Sequence, residues 1–168
     1  MKSFGISCLF FLGFSLLESA FLSNILILPA IPDLVLLCSL YLSLNNGRLF
    51  GSCAGFAGGL FLDFFSAVPF GLNCLLKTVF GYTAGLFSKT LNINGIFFPF
   101  LLGALSTIFK AVILWCITVF YPNVSIAKEA VSFSFGFEVL FNALLAPLVF
   151  KFLDVFKGEL LLAVENVR

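Results

Sequence analysis

The stretch from Leu49 to Phe87, LFGSCAGFAGGLFLDFFSAVPFGLNCLLKTVFGYTAGLF, joins two apolar helical segments that each carry a Gly-x-x-x-Gly pair, Gly51/Gly55 and Gly81/Gly85. Apolar residues alone suffice for a helix to sit in lipid. Small residues every fourth position do more, because they let two helix backbones approach closely. Glycine is in any case more frequent in spanning helices than in soluble ones. Here Gly51, Gly55, Gly58 and Gly59 stand with Ser52, Ala54 and Ala57 inside nine residues. That density predicts a close helix contact, with another helix of the chain or with a helix of another protein.

The rest of the chain confines this packing to a membrane. Of 168 residues, 61% are hydrophobic and 10% charged, against roughly 25% charged in a soluble domain. So few charges cannot cover a water-facing surface, and the class is an all-α integral membrane protein. Twenty-five phenylalanines suit contact with lipid and require no cofactor to explain them. The net charge of +1 argues against a nucleic-acid partner. There is no histidine, hence neither the most common metal ligand nor the usual proton shuttle. Cys8, Cys38, Cys53, Cys74 and Cys116 lie in apolar runs without a C-x-x-C spacing, and read as small packing residues rather than a metal or redox site.

A spanning helix takes about 20 mostly apolar residues. The chain divides into six such segments, at about 4–22, 29–44, 49–65, 72–88, 96–120 and 131–152. Pro29 and Pro32 fit a first helical turn. Asn45-Asn46-Gly47-Arg48 and Tyr121-Pro122-Asn123 are loop signals. The expectation is a compact six-helix bundle forming a single membrane domain over residues 1–168. With both termini cytoplasmic, Lys2, Arg48, Lys89, Lys151, Lys157 and Arg168 fall inside and only Lys128 outside, as the positive-inside rule requires. Lys2, the first apolar run and Ser19-Ala20 also resemble a signal peptide, but Glu18 stands where the cleavage pattern wants a small neutral residue. The first helix is therefore read as a span. The polar tail from Lys157 to Arg168 is read as a short helix along the cytoplasmic surface.

Ionisable groups inside a span cost at least about 2.5–3.5 kcal/mol each near the centre and need partners or a task. Asp63 and Lys77, on antiparallel neighbours, differ in depth by about one turn. Lys110 and Glu138 stand in the same relation on the last two helices. Two buried ion pairs are expected, Asp63–Lys77 and Lys110–Glu138, fixing helix register rather than relaying protons. Glu18 is expected to reach the interface.

PDL at 32–34, the glycine series into GLFLD at 59–63, VPFGLN at 68–73 and GYTAG at 81–85 together resemble the MreD family of bacterial rod-shape-determining membrane proteins. The likeness is densest over about 32–87, with Asp63, the turn residues Pro69 and Gly71, and Asn73 in an uncommon order after the glycines. It implies a non-enzymatic part of the cell-elongation machinery for lateral peptidoglycan synthesis in the cytoplasmic membrane. The implied partners are an MreC-type scaffold and, through it, MreB, RodA and a class B penicillin-binding transpeptidase. It also implies an architecture similar to the substrate-binding subunits of energy-coupling-factor vitamin transporters. That similarity supplies a rival function, small-molecule binding in an outward pocket, for which the chain offers Asn73, Tyr82 and Thr83 but only short outer loops. For catalysis it offers neither a Ser/His pair nor two facing aspartates, and its basic groups are scattered.

Overall fold

A computed structural model describes residues 2–21, 30–66, 69–88, 95–120 and 133–161. The described residues contain helices and no strand. Helix α1 spans Lys2–Leu16 and runs on into a π-helical turn at Leu17–Phe21. Then follow α2 (Leu34–Asn46), α3 (Arg48–Phe65), α4 (Leu72–Leu86), α5 (Phe97–Phe120), α6 (Phe133–Val155) and a single turn, α7 (Lys157–Leu160). Three segments, Ser3–Ala20, Phe97–Ile117 and Ser134–Val155, are long and apolar enough to cross a membrane by themselves. At 13 and 15 residues, α2 and α4 rise only ~20 and ~22 Å.

The helices alternate in direction. The start of α1, the α2–α3 junction, the end of α4 and the turn α7 meet at one end of the bundle, here the near end. Ser3 Oγ donates to the Leu161 carbonyl there (3.3 Å), and Asn46 Nδ2 donates to that of Leu160 (3.2 Å). Gly47 alone connects α2 to α3, with φ 87° and ψ 178°. That extended positive-φ conformation is open in practice only to glycine. The loop expected at 45–48 thus shrinks to one residue, and Asn45 stays helical, donating to the Tyr41 carbonyl (2.8 Å).

Helix α2 is the axis of the bundle. Every residue from Val35 to Leu44 is buried, which no lipid-facing helix could be, and α1, α3, α4, α5 and α6 all pack against it. Its start differs from the expected 29–44 span. Residues 30–33 are not helical, and the helix begins at Leu34 with Asp33 as its N-cap, its carboxylate accepting from the Leu36 N–H (2.7 Å). Pro32 explains this: it disfavours helical backbone at the residue before it and lacks an N–H of its own.

The glycine faces pack within the chain. A Cβ on Gly55 would overlap the Lys77 carbonyl, one on Gly81 the Gly51 carbonyl, and one on Gly85 the backbone of Arg48. A Cβ on Gly59 would lie 2.5 Å from Asn73 O and Cys74 Cα. Gly51, Gly55 and Gly59, spaced by four, therefore form the seam with α4, and Gly51 also abuts Ser43 of α2. Gly58 belongs to another contact, where its missing side chain admits the buried ring of Phe11 from α1. A seam of the same kind joins α5 to α6: a Cβ on Gly103 would come within 2.6 Å of Ala146 Cβ and 2.7 Å of Asn142 O. At the near end α6 is held by rings, with Phe10 and Phe14 of α1 against Phe152 and Phe156, and Tyr41 against Phe150.

Overpacking a close helix contact costs about 3 kcal/mol, whereas an open surface position stays within about 0.5 kcal/mol. Gly55→Leu should accordingly lower the unfolding free energy of the purified protein in detergent by about 3 kcal/mol. Gly13→Leu, on α1 with nothing within 4 Å of a built Cβ, should leave it within about 0.5 kcal/mol.

Candidate functional site

The ionisable residues inside the bundle form two constructions. The first is at the α3–α4 turn. Pro69 and Gly71 shape it, with Gly71 left-handed (φ 94°) and no side-chain cap for α4 from its own N-cap position. Asp63, on the last turn of α3, supplies the cap instead. Its carboxylate accepts from the N–H groups of Gly71 (3.0 Å), Asn73 (3.1 Å) and Cys74 (3.0 Å). A negative group against these unpaired first-turn donors also complements the helix dipole. The Asn73 side chain closes the turn by donating to Ser66 Oγ (3.4 Å). The expected Asp63–Lys77 pair is therefore not formed: Asp63 is committed to backbone amides, and Lys77 turns to a different carboxylate.

That carboxylate is Asp33. Lys77 Nζ lies 2.5 Å from Asp33 Oδ2, with side chains 1% and 3% exposed. Lys110 Nζ of α5 lies 3.0 Å from the same oxygen and 2.7 Å from Glu138 Oε1 of α6. Lys110 and Glu138 are thus brought together, and both are joined to a larger cluster. Glu18, in the π-helical turn, adds a third carboxylate, accepting from the Val35 N–H (3.4 Å). The Asp33 N–H donates to Asn142 Oδ1 (2.9 Å), and Asn142 Nδ2 donates to Thr107 Oγ1 (2.9 Å). One node thereby connects α1, α2, α4, α5 and α6.

The helix lengths explain why these groups share a level. Asp33 lies one residue beyond a 13-residue helix, ~20 Å from the near end. Lys110, the fourteenth residue of α5, stands at ~20 Å as well, and the Lys77 stem covers the remaining turn from α4. The arrangement ties side chains of five helices together at one level. Every ammonium faces a carboxylate, and Asp33 and Glu18 also serve the first amides of α2. Among the described residues no three Cys, Asp or Glu side chains are grouped so as to hold a metal ion.

Sequence reasoning passed over Asp33, Asn142 and Thr107. An Asp directly after Pro and before an apolar helix is an N-cap signature, and it was the available signal for Asp33. Asn142 and Thr107 carry no local signal, because their partners are 109 and 35 residues away.

The Asp63 cap consists of the residues in GLFLD and PFGLN, and the Asp33 cap of those in PDL, so the segments of the resemblance are folding units of this bundle. A family model described as rod shape-determining protein MreD matches residues 2–156. The chain belongs to the MreD family. Membership assigns it to rod-shape determination, within a family of structural membrane proteins. No curated protein and no solved structure matches it significantly, so the likeness to vitamin-transporter subunits gains no support.

Removing one partner of a buried pair costs about 3–5 kcal/mol. Asp33→Asn and Lys77→Met should each show such a loss, and the double variant should fall short of their sum by at least about 2 kcal/mol in an unfolding cycle in detergent. Asp63→Ala should cost about 2 kcal/mol by loss of the cap. Asp63→Lys combined with Lys77→Asp should recover nothing relative to the single reversals.

Proposed function

We propose that this MreD-family chain is a non-enzymatic membrane scaffold of the bacterial cell-elongation complex. In this reading it docks an MreC-type bitopic protein through its lipid-facing helices and, through that partner, joins MreB, RodA and a class B penicillin-binding transpeptidase during lateral peptidoglycan synthesis. The observation that carries the reading is the use of the interior. The buried charged side chains are spent on one another and on helix amides, leaving rigid helices whose outward faces are apolar, such as Leu101, Leu105, Ile108, Val112 and Trp115 on α5.

We place the domain in the cytoplasmic membrane with six passes and both termini inside. The shared near end of α1 and α7 supports an even number of passes, and Lys2, Arg48, Lys151 and Lys157 lie toward that end, as the positive-inside rule asks. The shortness of α2 is compatible with a pass, since non-helical backbone is tolerated at membrane depth when enclosed by protein.

Depletion in the native bacterium should turn rods into spheres, and a plasmid copy should restore them. A Gly55→Leu copy, in which the α3–α4 seam is overpacked, should not. Rods that keep their shape through depletion would overturn the assignment.

A further inference from the structure

The α5–α6 hairpin changes character part-way along. From its near-end half, Pro99, Gly103, Ser106 and Thr107 of α5 and Asn142, Ala143, Ala146, Val149, Phe150 and Leu153 of α6 are buried. Beyond them, none of residues 108–117 and none of 134–141 is buried. The boundary coincides with a weakened turn on each helix. On α6 it is Pro147, which has no N–H for the Ala143 carbonyl and is a standard place for a helix to bend. On α5 it is Gly103–Thr107, where Ser106 Oγ (2.8 Å) and Thr107 Oγ1 (3.0 Å) both donate to the Gly103 carbonyl. Such back-bonding competes with the helix ladder and favours bending. The two turns are level, because Gly103 is the residue that meets Asn142 and Ala146.

We infer that the far half of the α5–α6 hairpin is a hinged arm, bending at Gly103–Thr107 and Pro147, and that Lys110 latches it to the core by bridging Asp33 and Glu138. Lipid drives little burial of apolar side chains between helices, so an arm whose described residues bury only Asn142, at the hinge itself, is held by its specific ties. Lys110 to Asp33 (3.0 Å) is one, and the Phe109 ring against Phe80 (6.0 Å) is another. Glu138 moves with the arm and holds Lys110 from the arm's own side, so release breaks the Asp33 contact and leaves Lys110 paired. The Asp33–Lys77 pair remains behind in the core. The device does not depend on which partner the scaffold binds.

The arm is about ten residues, ~15 Å, so a bend of roughly 20° carries its tip by ~5 Å. The test measures spin-label distances by double electron–electron resonance on the full chain in phospholipid nanodiscs, with Cys8, Cys38, Cys53 and Cys74 replaced by Ala. One label sits on native Cys116 in the arm and one on Val79→Cys of α4, both exposed positions. A reference pair below the hinge uses Leu86→Cys and Leu101→Cys, with Cys116 also replaced by Ala. Lys110→Met with Glu138→Gln opens the latch while keeping the arm neutral and the Asp33–Lys77 pair intact. It should shift or broaden the 79–116 distance by ~5 Å and leave the 86–101 distance unchanged. Pro147→Ala, in the otherwise unaltered chain, should narrow the 79–116 distribution. A 79–116 distance unaffected by either variant, or equal broadening of both pairs when the latch is opened, would overturn the hinged arm.

Discussion

A helix that begins in the apolar interior of a bundle leaves its first amide groups without acceptors unless the protein provides them. Helix α2 is in that position, and the rest of the bundle follows from how its start is satisfied. Asp33 accepts from Leu36 and Glu18 from Val35, so two carboxylates stand at the positive end of one helix dipole. Carboxylates at that depth in turn need counter-charges, and these come from Lys77 and Lys110 on two further helices. Lys110 then requires Glu138, and the Asp33 amide requires Asn142. One short helix thus recruits a polar group from nearly every other long helix.

Close backbone contact does a different job. The α3–α4 seam, through Gly51, Gly55, Gly59, Gly81 and Gly85, makes a rigid pair that has no use for charge. The pair is anchored at its turn by Asp63, which places the α4 amides and, through them, the height of Lys77. Seam and cap together put the lysine where Asp33 can reach it. Packing in lipid gains from van der Waals contact and interhelical hydrogen bonds rather than from expulsion of water. It is consistent with this that the tightest seams are glycine-rich and the longest-range ties are polar.

The stretch that carries the resemblance to the family acquires a structural meaning from the same chain of contacts. Asp63, Pro69, Gly71 and Asn73 are one capping turn, and Asp33 is the cap of the central helix. These residues set helix starts and the levels of the helices they begin. The proposed scaffold role needs helix faces presented at fixed positions, and fixed positions are what the caps and seams produce.

Membrane character, helical class and the existence of a glycine seam were legible in the sequence, because each follows from local composition or a spacing of four. The meeting of Lys110 and Glu138 was legible too, since both depths could be counted along neighbouring helices. The partner of Lys77 was not. Depth arithmetic allowed Asp63, and nothing local reveals that three backbone amides already occupy that carboxylate. Nor could spacing separate Gly58, which faces Phe11, from Gly59, which faces α4, because adjacent residues on a helix point about 100° apart toward whichever neighbours the bundle supplies. The sequence determined which surfaces are small, apolar or charged. Tertiary structure decided which of them meet, because partners such as Asp33 and Asn142 are 109 residues apart and become neighbours only when α2 is enclosed by the other helices.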